Sequence, residues 1–126
     1  MAKVLVIDDE PSVREMVSEV LKRQGHEVVA VSSAREGVKH FKEQPVDLVV
    51  TDLVMPDVSG IDMILEMKDL VPEVKILAIS GGGGITGRFD YLPIASLVGA
   101  GDILKKPFSI GDFNRKVNSL LEPVSS

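Results

Sequence analysis

Short apolar runs recur along this chain, and each gives way to a longer stretch whose apolar positions fall three and four residues apart. Val4-Leu5-Val6-Ile7, Val28 to Val31, Leu48-Val49-Val50-Thr51 and Val74 to Ile79 are rich in β-branched residues, the composition of strands covered on both faces. Ile103 to Lys105 is a shorter fifth strand, entered through Gly99 and Gly101. Between the strands, Pro11 to Lys22 sets Val13, Met16, Val17, Val20 and Leu21 on one helical face, with Pro11 at its start and Gly25 past its end. Ser33 is placed to cap a second helix carrying Val38 and Phe41, stopped at Gln44-Pro45. A third helix is expected from about Ile61 to Leu70, before Pro72. Phe89 to Val98 has a weaker helical pattern, with Pro93 in its first turn. Ser109 caps the last helix, which carries Ile110, Phe113, Val117, Leu120 and Leu121 on its apolar side.

Five strands alternating with five helices predict an α/β fold, a doubly wound (βα)5 domain with a five-stranded parallel sheet and helices on both faces. The pattern assigns residues 1–121 to this domain and 122–126 to a tail or the start of a linker. In open parallel sheets, ligands bind outside the carboxyl ends of the strands, at the point where the strand order reverses.

Composition narrows the chemistry. A chain of 126 residues is one domain with a real core, and a net charge of −5 argues against a surface built to coat nucleic acid or an anionic membrane. The absence of cysteine removes disulfides, thiolate zinc sites and cysteine nucleophiles together. The four-residue run before Asp8-Asp9-Glu10 is too short for a signal-peptide core, and no stretch approaches the roughly 18 apolar residues of a membrane span. A cytoplasmic location is the expectation, with neither membrane nor direct nucleic-acid contact.

The strand ends carry the candidate chemistry. Asp8, Asp9 and Glu10 follow the first strand, Asp52 the third, Ser80 the fourth, and Lys105 and Lys106 the fifth. Each alone has an ordinary explanation: turn former, helix cap or solvated charge. Together they place acids, a hydroxyl and a lysine on one edge. Clustered carboxylates repel one another and are costly to bury without a cation, and hard oxygen ligands with room for water suit Mg2+. A lysine opposite them could neutralise an incoming phosphoryl group, and one carboxylate could attack it to form an acyl phosphate.

These segments resemble the receiver domains of two-component response regulators. "VLVIDDEPSVREMV" is similar to that family's acidic opening, "VVTDLVMPDVSGID" to its phosphoacceptor segment and "LKKPF" to its lysine-proline motif. The resemblance covers essentially the whole chain and implies a flavodoxin-like fold of the chemotaxis-regulator type. It implies that Asp52 is the phosphoacceptor. Asp9 would ligate Mg2+ directly and Asp8 mainly through water, with Asp52 and the backbone carbonyl of Val54 completing the protein's ligands. Lys106 would contact the phosphoryl group, Lys105 would point elsewhere, and the Lys106-Pro107 bond would be cis. Ser80 would hydrogen-bond the acyl phosphate and take part in switching. The implied partners are a histidine kinase or histidine phosphotransfer protein upstream and a protein target downstream. The chain would then be a signalling module that catalyses only its own phosphoryl transfer and slow dephosphorylation.

Two departures from the family pattern qualify the resemblance. Ile103 stands where many receivers carry an aromatic switch residue, so an aliphatic side chain would have to move in its place. The segment from Ser80 to Lys106 is a few residues longer than usual, with Gly81, Gly82, Gly83 and Gly84 expected to act as a hinge. Val54 and Gly82, two residues beyond Asp52 and Ser80, offer no polar side chain to orient a hydrolytic water. Tyr91 is expected to pack as a half-buried ring rather than to switch.

Three other functions share part of this pattern. An aspartyl phosphohydrolase commonly has a second acid two residues after its nucleophile, where this chain has Val54. A nucleotide site built on the glycines would need Gly-Lys-Ser or Gly-Lys-Thr, and Gly87-Arg88-Phe89 is neither. A receiver-like interaction module that is never phosphorylated is the remaining alternative.

Overall fold

The computed structural model describes residues 2–53, 60–80 and 99–122. The strands are β1 (Lys3–Ile7), β2 (Glu27–Val31), β3 (Leu48–Asp52), β4 (Ile76–Ser80) and β5 (Asp102–Lys105). The helices are α1 (Pro11–Arg23), α2 (Ala34–Glu43), α3 (Gly60–Leu70) and α4 (Ile110–Leu121). All pairings are parallel, in the order β2-β1-β3-β4-β5. The predicted doubly wound α/β sheet is therefore present. The expected helix over Phe89 to Val98 lies outside the described residues.

Side-chain alternation on the strands explains the two layers. Leu5 and Ile7 face one way and join Val49, Ile76 and Ala78 under α2 and α3, where Phe41, Met63, Ile64 and Met67 complete a core. Val4 and Val6 face the other way and join Leu48, Val50, Leu77 and Ile79 under α1 and α4, against Val17, Leu21, Phe113 and Val117. β3 and β4 are buried at every position, as their unbroken apolar composition predicts.

Local signals act where expected. Ser33 and Ser109 each accept a hydrogen bond from the backbone N–H three residues on, at 3.2 and 3.0 Å. Gly25 adopts a φ of 90° just after α1, a conformation an L side chain disfavours.

Two expectations need correction. The fourth strand starts at Ile76 rather than Val74, because Val74 closes a turn by donating to the carbonyl of Val71 at 3.0 Å. Its burial, not a ladder position, is why it resembles a strand residue. Ile110, the first residue of α4, is exposed, and the buried face of that helix begins at Phe113.

Candidate functional site

Sheet register brings the candidate residues together. Ile7 is level with Thr51, so the residues that follow them, Asp8 and Asp52, are neighbours where the strand order turns outward from β1 and β3. Asp52 is level with Ile79, and Ser80 with Lys105, so Lys106 follows at the far corner. The backbone N–H of Lys106 donates to the carbonyl of Ser80 at 2.7 Å, which fixes the lysine's root. The Lys106-Pro107 peptide is cis.

Close packing sets the height of Asp52. A Cβ on Gly60 would lie 2.5 Å from the Cα of Leu53 and 2.9 Å from the carbonyl oxygen of Asp52, so only glycine lets α3 begin this close to the end of β3. The Gly60 N–H donates to the Leu53 carbonyl at 3.1 Å, tying the two elements together.

The Lys106 ammonium sits among three carboxylates: 3.1 Å from Asp52 Oδ2, 3.2 Å from Glu10 Oε1 and 3.3 Å from Asp8 Oδ2. The side chains of Asp8 and Asp52 are only 4% and 7% exposed, that of Lys106 15%, while Glu10 is 57% exposed. Burial disfavours the charge of Asp8 and, with the neighbouring Asp52, raises its pKa above the ordinary aspartate value of 3.8. The Glu10 N–H and the Lys106 ammonium oppose that rise without cancelling it. Burial also disfavours the charge of Lys106, but attraction to Asp52 and Asp8 and hydrogen bonds to Asp52 and Glu10 outweigh it. The ammonium is thereby held above its usual 10.5.

One carboxylate oxygen from each of Asp8, Glu10 and Asp52 lies within 4.8 Å of the other two, a set of hard anionic donors that fits a divalent cation. Among the described residues three carboxylates face one lysine, a negative balance that a cation would offset.

Of the residues expected at the site, Asp8, Asp52 and Lys106 come together directly. Ser80 is fully buried at the neighbouring strand end. Lys105 is exposed, so the one-residue offset separates the two lysines as anticipated. Asp9 is exposed, and among the described residues the clustered acids are Asp8, Glu10 and Asp52. Ile103 is half-buried on the α2/α3 side of the sheet, packed against the core that contains Ile7 and Ala78. Val54, Tyr91 and Gly81 to Gly84 lie outside the described residues, so the proposed hinge and the Val54 carbonyl have no geometry here.

Glu10 has a sufficient local explanation in the sequence, as an acid favouring the start of α1, but the fold gives it a distant partner. It occupies the N-cap position, yet its side chain makes no capping bond, and the backbone N–H of Glu10 is taken by Asp8 Oδ1 at 2.9 Å. The run of three acids before Pro11 is the only local signal; the partner, Lys106, is 96 residues away.

Comparison with known proteins agrees with this arrangement. The family model described as the response regulator receiver domain matches residues 4–118. The chain is 34% identical to the chemotaxis protein CheY of Thermotoga maritima, over 84% of this chain and 86% of that protein. It is 32% identical to the probable transcriptional regulatory protein TcrX of Mycobacterium tuberculosis, over 94% of this chain and 49% of that protein. The chain thus spans about half the length of the transcriptional regulators it matches. Among solved structures, a response regulator receiver domain from Clostridium thermocellum superposes with a TM-score of 0.86 at 32% identity, covering 96% of this chain and 94% of that one. The response regulator TrrA of Thermotoga maritima, solved in complex with Mg(2+)-BeF, superposes with a TM-score of 0.82 at 30% identity, over 96% and 100% of the two chains. With the matched residues running from β1 into α4, the chain belongs to the response regulator receiver domains of two-component signalling.

Proposed function

We propose that Asp52 is the phosphoacceptor and that a phosphohistidine, on a histidine kinase or a histidine phosphotransfer protein, is the donor. The observation that carries this reading is the meeting of Asp52 with Lys106 at 3.1 Å beside two further carboxylates. An oxygen of Asp52 attacks phosphorus, the N–P bond breaks, and its electron pair leaves with the imidazole. Lys106 neutralises charge on the phosphoryl oxygens, and Ser80, at the end of the neighbouring strand, donates its hydroxyl hydrogen to one of them, a role that the strand register supports. Asp8 and Asp52 would hold Mg2+, with Asp9 and the Val54 carbonyl as the further ligands the family resemblance implies. Bound there, the ion would supply the positive charge that lets a carboxylate and a phosphoryl group approach. The TrrA structure, carrying Mg(2+)-BeF on a similar fold, supports that choice of ion.

The chain acts as a cytoplasmic signalling module that modifies only itself, with slow loss of the phosphoryl group. Phosphorylation adds about −1.5 to −2 of charge at Asp52. That charge redirects Ser80 and Lys106 and admits Ile103 to a new packing, changing contacts with a downstream protein rather than with DNA or a membrane. No helix among the described residues is long and apolar enough to cross a membrane. Incubation with acetyl phosphate and Mg2+, followed by intact mass, tests the reading. A phosphoryl adduct on the wild type that Asp52→Asn abolishes is the expected result; absence of the adduct would favour a receiver-like module that works without phosphorylation.

A further inference from the structure

Lys106 is held by more acid than a phosphoryl contact needs. An ammonium has three N–H donors, and here three carboxylates take them one each, at 3.1, 3.2 and 3.3 Å. A phosphoryl oxygen on Asp52 can accept from Lys106 only by displacing one of these acceptors. They are not equally displaceable. Asp8 and Asp52, at 4% and 7% exposure, would lose a partner without gaining water, whereas Glu10, at 57%, would be rehydrated on release. The Glu10 backbone is anchored independently of its side chain. Its N–H donates to Asp8 Oδ1 at 2.9 Å, and its carbonyl accepts from the Arg14 N–H at 3.0 Å. The carboxylate can therefore swing away without unwinding α1.

We propose that Glu10 is a positioning residue, which holds Lys106 toward the end of β1 in the resting site and yields it to the phosphoryl group when Asp52 is modified. The inference rests on the phosphorylation of Asp52 proposed above. Glu10 acts through Lys106 and touches no reacting atom. Its withdrawal frees an ammonium donor and removes a negative charge from the path of an anionic phosphoryl group. Both effects favour the phosphorylated state, so the resting contact keeps uninduced phosphorylation low.

The test compares wild type, Glu10→Gln and Glu10→Ala in two measurements. The first is the 15N resonance of the Lys106 ammonium in cation-free buffer, assigned by its loss in Lys106→Met. The second is the rate of adduct formation from acetyl phosphate at saturating Mg2+. The Lys106 resonance should move in Glu10→Ala, and adduct formation should rise about three- to fivefold, the scale of a half-exposed ion pair. Glu10→Gln should fall between, since its amide oxygen still accepts from the lysine without carrying charge. An unmoved Lys106 resonance or an unchanged rate overturns the proposal. So does a fall in Mg2+ affinity in Glu10→Ala, which would make Glu10 a metal ligand instead. If wild type takes up no phosphoryl group while the Lys106 resonance still moves, the role of Asp52 fails and the inference falls with it. If wild type is phosphorylated and Glu10→Ala behaves like it, the inference fails alone.

Discussion

The two ends of the sheet handle charge in opposite ways. At the amino end, polar groups are matched locally and largely with backbone partners. Asp47 Oδ2 accepts from the Lys3 N–H at 2.8 Å, His26 Nδ1 accepts from the Ala2 N–H at 3.2 Å, and Lys68 Nζ donates to the carbonyls of Val74 and Pro72 at 2.9 and 3.3 Å. At the carboxyl end, three carboxylates share one lysine, and two of them are almost completely buried. The first arrangement closes the fold. Among the described residues the second sets three carboxylates against one lysine, a charge arrangement that fits the cation and phosphoryl group proposed to bind there.

Removing Lys106 should expose that imbalance most sharply. Lys106→Met leaves Asp8 and Asp52 buried without their cation, and taking one partner from such a group costs about 3 kcal/mol. Urea unfolding in chelator-containing buffer at neutral pH measures it, and Mg2+ should restore part of the loss by offsetting the same acids. The pH dependence has a definite sign. The pKa of Lys106 is raised by folding, so its contribution is fully present below 10.5 and is lost as pH rises through the higher folded value. On the alkaline side the gap between wild type and variant should therefore close only as pH rises through that value, and in acid it should close as Asp8 and Asp52 take up protons. A loss no larger than that of an exposed ion pair, under about 1 kcal/mol, would erase the contrast between the two ends.

Much of this was legible in the sequence, for identifiable reasons. β1, β3 and β4 are nearly unbroken apolar runs, and a strand covered on both faces admits little else. The serine caps at Ser33 and Ser109 act within one turn of chain, so local sequence suffices to place them. Asp8, Asp52 and Lys106 could be brought together because parallel strands deliver their last residues to one edge. What escaped depended on packing between distant parts. Glu10 was ambiguous because an acid before a helix has a sufficient local role, and only the fold shows that its carboxylate goes to Lys106 instead. Ile110 fits the helical period of α4 yet is exposed at the helix's first position.

A subtler substitution separates the cost of the buried acids from their use. Folding raises the pKa of Asp8, so its ionisation is a burden that is absent below 3.8, grows as pH rises from there to the folded value, and is complete above it. Asp8→Asn should then stabilise the cation-free protein at neutral pH by about 1 kcal/mol, as relief of charge at a functional site commonly does. The cost is function: the thermal shift produced by Mg2+ should shrink or disappear. In wild type that shift should weaken on acidification at higher pH than an ordinary aspartate would predict, because Asp8 takes up its proton early. A variant that loses stability while keeping its full Mg2+ response would contradict the account of Asp8 as a strained ligand.

The smallest effect belongs at the amino end, and it supplies the control. Asp47→Ala removes the acceptor of the Lys3 N–H but leaves the backbone bond from the Asp47 N–H to the Lys3 carbonyl, at 2.8 Å, in place. Asp47 is exposed, so water can replace the lost acceptor, and the cost should lie near 0.5 kcal/mol, at the low end for a hydrogen bond. Neither the Mg2+ shift nor the rate of adduct formation should change, since Asp47 precedes the first residue of β3 and Asp52 is its last. The same urea and thermal measurements used for Lys106 and Asp8 read this out directly. If Asp47→Ala altered the Mg2+ response, the two ends would be coupled through β3, and charge at the amino end would have to be counted as part of the site.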